Sequence, residues 1–101
     1  MDAQIKAKVA STPVVIYSKS YCPYCAKAKR ALQAIKAHFE AIELDQVSNG
    51  AEIQQALKGV TGSSTVPQVF VGGKYIGGGD DTARKQQNGE LVQLVTAAGG
   101  L

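Results

Sequence analysis

The sequence has few side chains that bind metals through nitrogen or sulfur: Cys22, Cys25 and a single histidine, His38. A structural zinc site needs four ligands, so this supply argues against one, and we expect no bound metal. Long apolar runs are also absent. No stretch is long enough to span a membrane, and the charges scattered through residues 1–10 argue against a signal peptide. We therefore expect a cytoplasmic protein with no membrane partner, and an organelle stroma or matrix stays open because a transit peptide is removed on import.

The chain has no strong excess of charge of either sign. Eleven basic and eight acidic residues give a net charge of +3, and the basic residues are dispersed along the sequence. This balance argues against a nucleic-acid partner and supports only a mild preference for anionic ligands. A chain of 101 residues can bury roughly two-thirds of its unfolded surface in one core. We expect residues 1–101 to form a single domain that acts as a monomer.

The two cysteines stand three residues apart in Cys22-Pro23-Tyr24-Cys25. Residues at this spacing on a helix are neighbours, with roughly 5–6 Å between their Cβ atoms, so the two sulfurs can form a bond after a small adjustment. A purely structural disulfide is a poor explanation, because so short a loop removes little entropy from the unfolded chain. The motif therefore predicts a reversible dithiol with a redox function.

The residues around the motif predict different roles for the two thiols. The apolar run at 13–17 is typical of a buried strand, and Pro23 suits the first position of a helix, which makes Cys22 its N-cap. The Cys22 sulfur would then face unpaired backbone N–H groups at the positive end of the helix dipole, which favours the thiolate. We expect Cys22 to be the exposed nucleophile and Cys25 the resolving thiol, with Lys19 adding positive potential.

Apolar spacing along the rest of the chain predicts one α/β unit, with the element order α-β-α-β-α-β-β-α. The expected helices cover residues 3–10, 23 to about 39, and 51–59, with Gly59 near the end of the third. A last helical region follows Asp80 and is broken at Asn88-Gly89. The expected strands are 13–17, 41–44, 68–71 and 74–76, and the last two form a hairpin.

Three features of the sequence belong together: the Cys22-Pro23-Tyr24-Cys25 motif with Lys19 ahead of it, Thr65-Val66-Pro67 entering the hairpin, and Gly77-Gly78 followed by Asp80-Asp81. Together they resemble the pattern of a glutaredoxin of the dithiol type. Their order and spacing cover most of the chain, from about residue 14 to residue 94. The resemblance implies a thioredoxin-like fold, in which a four-stranded mixed sheet is flanked by helices.

The resemblance also implies how glutathione would lie beside the sulfurs. It implies a cis peptide bond before Pro67, in the Thr65-Val66-Pro67 segment, opposite the active thiol. The N–H and C=O of Val66 would then pair with the backbone of the glutathione cysteine, as an added strand does. Tyr24 would shape the rim of the site, and its hydroxyl would reach the active thiol.

Glutathione carries two carboxylates and one ammonium, and the resemblance assigns a partner to each. Lys19, with help from Gln54, would bind the glycine carboxylate. The N–H groups at Gly79 and Asp80 would bind the γ-glutamyl carboxylate, since helix N-termini attract anions. Asp81 would pair with the γ-glutamyl ammonium. Simple capping of the last helix is the alternative explanation for the two aspartates.

The implied activity is that of an enzyme, a glutathione-dependent thiol–disulfide oxidoreductase. Its partners would be glutathione and proteins that carry glutathionylated cysteines or disulfides. The monothiol route needs only Cys22, whereas the dithiol route on protein disulfides also needs Cys25. No cofactor would be bound, and glutathione would be the co-substrate, regenerated by NADPH and glutathione reductase.

Two other functions stay open. Some glutaredoxins hold a [2Fe–2S] cluster between two subunits, but the rigid Pro23 and the absence of a Cys-Gly-Phe-Ser motif argue against such a carrier. A thioredoxin-type reductase served by its own flavoenzyme is the other, and Cys-Pro-Tyr-Cys in place of Cys-Gly-Pro-Cys argues against it. The chain departs from the family pattern at Gly79, where many relatives carry a further cysteine, and at Ser64, where relatives often have a basic residue.

Overall fold

The computed structural model describes all 101 residues, which form five helices and four strands. In chain order these are α1 Asp2–Ser11, β1 Val14–Ser18, α2 Pro23–Ala34, β2 Glu40–Glu43, α3 Gly50–Thr61, β3 Gln68–Val71, β4 Lys74–Gly77, α4 Gly79–Gln87 and α5 Glu90–Ala98. The break predicted at Asn88-Gly89 separates α4 from α5. None of the five helices combines the length and the apolar character that crossing a bilayer requires.

The strands form one sheet in the order β2-β1-β3-β4. The pairing of β1 with β2 is parallel, whereas β1 with β3 and β3 with β4 are antiparallel. In this register Ile16 stands opposite Ala41 on one side and Val69 on the other. The predicted four-stranded mixed sheet flanked by helices is therefore confirmed.

The sheet divides the interior into two cores, because successive side chains of a strand point to opposite faces. Val14 and Ile16 of β1 pack with residues of α2 and α5, whereas Val15 and Tyr17 pack with residues of α1 and α3. All five residues of β1 are buried. The end of β1, where the dithiol segment begins, is therefore fixed from both sides.

Two helix ends differ from the sequence prediction. The helix α2 ends at Ala34, five residues before Phe39, because Lys36 adopts φ +59° and turns the chain out of the helix. Phe39 and Ile35 still pack against the same core, which explains why the apolar spacing appeared to continue. The end of α3 was also predicted wrongly: Gly62, at φ +84°, caps it, and Gly59 lies inside the helix.

Candidate active site

Cys22 caps α2, as the sequence predicts. Its backbone is extended, Pro23 is the first helical residue, and the Cys22 Sγ accepts the backbone N–H of Cys25 at 3.2 Å. The Cys22 side chain is half-buried, so its sulfur is held by the helix N-terminus and still reaches solvent. The sulfur therefore lies at the positive end of the helix dipole and is open to a substrate.

Cys25 has a different environment, because it has no exposed surface. Its Sγ accepts the backbone N–H of Lys19 at 3.5 Å. Burial raises the pKa of the Cys25 thiol to about 11, and the hydrogen bond with Cys22 adds to the rise. The contacts with the Lys19 backbone and the Ser18 hydroxyl partly offset it. At neutral pH Cys25 is therefore a protonated thiol, which agrees with a resolving role.

The peptide bond between Val66 and Pro67 is cis, as the family resemblance implies. The Val66 carbonyl oxygen lies 4.0 Å from the Cys22 Sγ. The Val66 backbone, whose polar groups can pair with a peptide, therefore lies next to the Cys22 thiol.

Gln68, at the start of β3, holds the segment that carries this edge. It is fully buried, and its Nε2 donates to the carbonyl oxygens of Ser63 at 2.6 Å and Thr65 at 3.0 Å. Its Oε1 accepts the hydroxyl of Thr61 at 2.9 Å. The sequence analysis missed this residue, although a glutamine opening an apolar strand is a usable sign of a buried polar contact.

A cavity of about 280 Å³ opens next to the dithiol motif, where Tyr24 faces the Val66-Pro67 segment, although neither cysteine is among the residues that line it. The nine residues that line it are Tyr24, Thr65, Val66, Pro67, Tyr75, Gly78, Gly79, Asp80 and Asp81. Seven of the nine residues predicted for glutathione lie in this groove. Tyr75, to which the sequence analysis assigns no binding role, packs on Phe70, with ring centroids 5.6 Å apart, and also lines the groove.

The N-terminus of α4 forms one wall of the groove and packs against the dithiol motif. A Cβ atom at Gly79 would lie 2.5 Å from the carbonyl oxygen of Tyr24, so the two helices approach more closely than a side chain would allow. The N–H groups at the start of α4 are thereby brought next to the first turn of α2.

Both aspartates in this wall have partners within the chain. Asp81 Oδ2 accepts the N–H of Gly78 at 3.2 Å, and its Oδ1 contacts Arg84 at 2.6 Å. These contacts, the Gly78 N–H first, lower the pKa of Asp81. Asp80 pairs with Lys27 at 2.6 Å. Asp81 therefore caps α4, in agreement with the capping alternative, while its side chain also faces the groove.

Two predicted glutathione contacts do not line this groove. The backbone of Lys19 contacts Cys25, but its side chain is not among the lining residues. Gln54 donates from Nε2 to the carbonyl oxygen of Ser64 at 2.8 Å, and so reaches the groove only through the Ser64-Thr65 backbone.

Asp45, which sequence reasoning missed, fixes the turn before Cys22. Its Oδ1 accepts the backbone N–H of Ser20 at 3.0 Å, and its Oδ2 accepts the Ser20 hydroxyl. These contacts with Ser20 lower the pKa of Asp45, and the charge of Lys19 adds a smaller effect in the same direction. No local sequence pattern links residues 25 positions apart.

Comparison with known protein families matches residues 14–76 to the family Glutaredoxin. Among individual proteins, the chain is similar to Glutaredoxin-C6 of Oryza sativa subsp. japonica, with 52% identity over 99 residues. That match covers 98% of this chain and 88% of the rice protein.

Two solved structures show the same architecture. The oxidized glutaredoxin 2 of Chlamydomonas reinhardtii superimposes with a TM-score of 0.93 at 46% identity, covering 99% of this chain and 94% of that one. A buckwheat glutaredoxin–glutathione complex also gives a TM-score of 0.93, at 43% identity, covering 99% and 91% of the two chains. The predicted thioredoxin-like fold is therefore confirmed.

Proposed function

The chain belongs to the glutaredoxin family of thiol oxidoreductases, and on that basis we propose that it uses glutathione to reduce mixed disulfides between proteins and glutathione. The observation that carries the proposal is the arrangement of the two thiols. The Cys22 sulfur is accessible at a helix N-terminus and lies 4.0 Å from the Val66 carbonyl oxygen, while Cys25 is buried. The structure of a related buckwheat glutaredoxin with glutathione supports the choice of this tripeptide.

In the first step of the monothiol route, the Cys22 thiolate attacks the glutathione sulfur of the mixed disulfide. The protein thiolate leaves, and Cys22 becomes glutathionylated. A second glutathione thiolate then attacks this new disulfide, releasing oxidised glutathione and restoring Cys22. The buried Cys25 takes no part, so this route needs one thiol only.

Reduction of a protein disulfide by the dithiol route also needs the second thiol, Cys25. Cys22 attacks one sulfur of that disulfide and forms a mixed disulfide with the substrate. Cys25 then attacks Cys22 and releases the substrate in reduced form. Two glutathiones reopen the Cys22–Cys25 bond, and glutathione reductase with NADPH returns oxidised glutathione to the thiol form.

The groove supports a definite orientation for glutathione. Its cysteine would pair with the exposed backbone of Val66. Its γ-glutamyl carboxylate would lie at the N–H groups of Gly79 and Asp80, where the helix dipole favours an anion. The Asp81 carboxylate would then bind the γ-glutamyl ammonium, and its contact with Arg84 would weaken.

The glycine end of glutathione has fewer contacts in the structure to support its placement. Lys19 and Gln54 remain the proposed partners of the glycine carboxylate. Both lie outside the cavity that the other residues line, so the glycine would extend beyond it toward the end of β1. Gln54 would also have to share its amide with the Ser64 carbonyl.

The decisive experiment measures reduction of a glutathionylated peptide, coupled to glutathione reductase, for wild type, Cys22→Ser and Cys25→Ser. We expect no turnover with Cys22→Ser and retained turnover with Cys25→Ser. Absence of turnover in the wild type would refute the proposal. In that case, brown protein after anaerobic purification would point to a cluster carrier, and coupling to thioredoxin reductase would point to a thioredoxin-type reductase.

A further inference from the structure

Lys19, the residue that follows β1, contacts both cysteines through its backbone. Its N–H donates to the Cys25 sulfur at 3.5 Å, and its carbonyl oxygen accepts the backbone N–H of Cys22 at 3.1 Å. One residue of the turn before α2 therefore lies against the exposed thiol residue and against the buried one. The position of this turn decides whether the buried sulfur keeps its backbone donor.

The chain that follows β2 holds this turn on both sides of Lys19. The backbone N–H of Leu44 donates to the carbonyl oxygen of Ser18 at 2.8 Å, which fixes the residue before Lys19. Asp45 fixes the residue after it, Ser20. The Asp45 Oδ1 accepts the backbone N–H of Ser20 at 3.0 Å, and its Oδ2 accepts the Ser20 hydroxyl. On that side, a single carboxylate makes both contacts.

The two contacts of Asp45 hold the turn in a way that solvent would not. Ser20 is exposed, so water could pair with its N–H and its hydroxyl without fixing the backbone in one conformation. Hydrogen bonds to a carboxylate are shorter and stronger than those between neutral groups. Two of them from one side chain fix both the distance and the orientation of Ser20 relative to the end of β2.

The Lys19 N–H has its largest effect when Cys25 reacts. Burial raises the pKa of the Cys25 thiol, and this N–H is among the contacts that lower it. When the thiol loses its proton, the sulfur becomes an anion at a position with no exposed surface. A hydrogen bond to a charged acceptor is roughly twice as strong as one between neutral groups. The contact therefore stabilises the attacking thiolate more than the resting thiol.

We propose that Asp45 is a positioning residue for the closing step of the dithiol route. By holding Ser20, it keeps the N–H of Lys19 on the Cys25 sulfur during the attack on a mixed disulfide. The inference rests on the proposed dithiol function. Asp45 acts through the backbone of the turn and not on the reacting sulfurs themselves.

The closing step balances in atoms and electrons. The Cys25 thiol gives its proton to water, and the resulting thiolate forms a bond to the Cys22 sulfur. The bond between Cys22 and the substrate sulfur breaks, and the substrate leaves as a thiolate with that electron pair and takes up a proton from water. Cys25 is oxidised, the substrate sulfur is reduced, and Cys22 exchanges one disulfide partner for another.

The test follows the closing step separately from the monothiol route. Reduced protein is mixed with excess oxidised glutathione, and samples are quenched in acid. Intact-mass spectrometry then follows the conversion of protein glutathionylated on Cys22 into the Cys22–Cys25 disulfide. Peptide deglutathionylation is measured in parallel. Asp45→Ala should lower the ratio of closing to deglutathionylation by roughly two- to tenfold, which corresponds to the loss of one hydrogen bond.

A conservative variant and a matched control separate positioning from a general loss of structure. Asp45→Asn should recover most of the lost ratio, because its amide oxygen can still accept the backbone N–H of Ser20. Asp2→Ala is the control, since it removes an exposed carboxylate at the start of α1. It should keep the wild-type ratio.

Three results would overturn the proposal. They are a wild-type ratio in Asp45→Ala, an equal loss of closing and deglutathionylation in that variant, and an Asp45→Asn variant that closes no faster than Asp45→Ala. If Asp45→Ala fails to fold, Ser20→Ala, which removes the hydroxyl contact only, decides by the same ratio. A wild type that forms no glutathionylated Cys22 would instead refute the proposed function itself.

Discussion

The sulfur of Cys22 accepts the backbone N–H of Cys25 at 3.2 Å, so the proposed nucleophile is held in place by the proposed resolving residue. The two thiols differ in their exposure to solvent and in their surroundings. One reaches solvent at a helix end, and the other is buried with its pKa raised to about 11. This contrast, and the contacts around it, lead to four predictions besides the experiments above.

The first prediction concerns alkylation. Iodoacetamide at pH 7 should modify the native protein once, on Cys22, because Cys25 is buried and protonated. Raising the pH toward 11 should allow Cys25 to react as well. Mass spectrometry of the intact protein and its peptides measures both. Cys22→Ser should remain unmodified at pH 7, and equal modification of both thiols there would contradict the prediction.

The second prediction concerns the wall between α2 and α4. Gly79→Ala places a methyl group 2.5 Å from the Tyr24 carbonyl, so α4 must move. We expect a loss of about 1–3 kcal/mol in the free energy of unfolding, which is typical of overpacking, and a raised KM for glutathione. Urea unfolding and the peptide assay measure the two effects.

Gly59→Ala is the control for that substitution. Its new methyl group would meet only the end of the Asp2 side chain, which can rotate away. Because alanine is the better helix former, Gly59→Ala should be neutral or should stabilise by up to about 1 kcal/mol. A Gly79→Ala variant as stable as Gly59→Ala would show that the approach of the two helices is looser than described.

The third prediction concerns Gln68. Gln68→Leu removes the donor to Ser63 and Thr65 and leaves their carbonyl oxygens without that partner. We expect a loss of about 1–3 kcal/mol in stability, the usual cost of an unsatisfied buried group. We also expect a higher KM for glutathione, because the Val66 backbone is no longer held. Gln93→Leu, on the exposed face of α5, should change neither quantity.

The fourth prediction concerns acid stability. Folding lowers the pKa of Asp45, so its contribution is present above the unfolded value of about 3.9 and is lost as the pH falls through the folded value. The stability difference between wild type and Asp45→Asn should therefore be largest near pH 6 and should shrink below pH 4. Urea unfolding at several pH values measures it. A difference that stays constant down to pH 2 would contradict the assignment.

Local signals in the sequence account for much of this structure. Pro23 after Cys22 is enough to place the helix start and to make the sulfur its cap. The β-branched run at 14–16 predicts a central strand, because such residues fit a fully buried position. The end of α2 was not predictable in this way, since Ile35 and Phe39 keep the helical spacing while packing on the core from outside the helix.

Local sequence patterns do not predict the long-range contacts between side chains around the site. Ser18 and Glu43 are 25 residues apart and meet only because β1 and β2 pair in parallel. Asp45 likewise reaches Ser20 from the loop that follows β2. Each of these side chains, read in sequence, is an ordinary polar residue.

The complete burial of β1 has a consequence for how this protein can fail. The same strand contributes side chains to both cores, and Lys19, the residue that follows it, donates its backbone N–H to the Cys25 sulfur. Loss of either helical layer would expose β1 and break the contact between Lys19 and the Cys25 sulfur before the rest of the chain unfolds. We therefore expect no intermediate that is partly unfolded and still able to close the dithiol, so heat or denaturant should abolish that reaction no later than the fold itself.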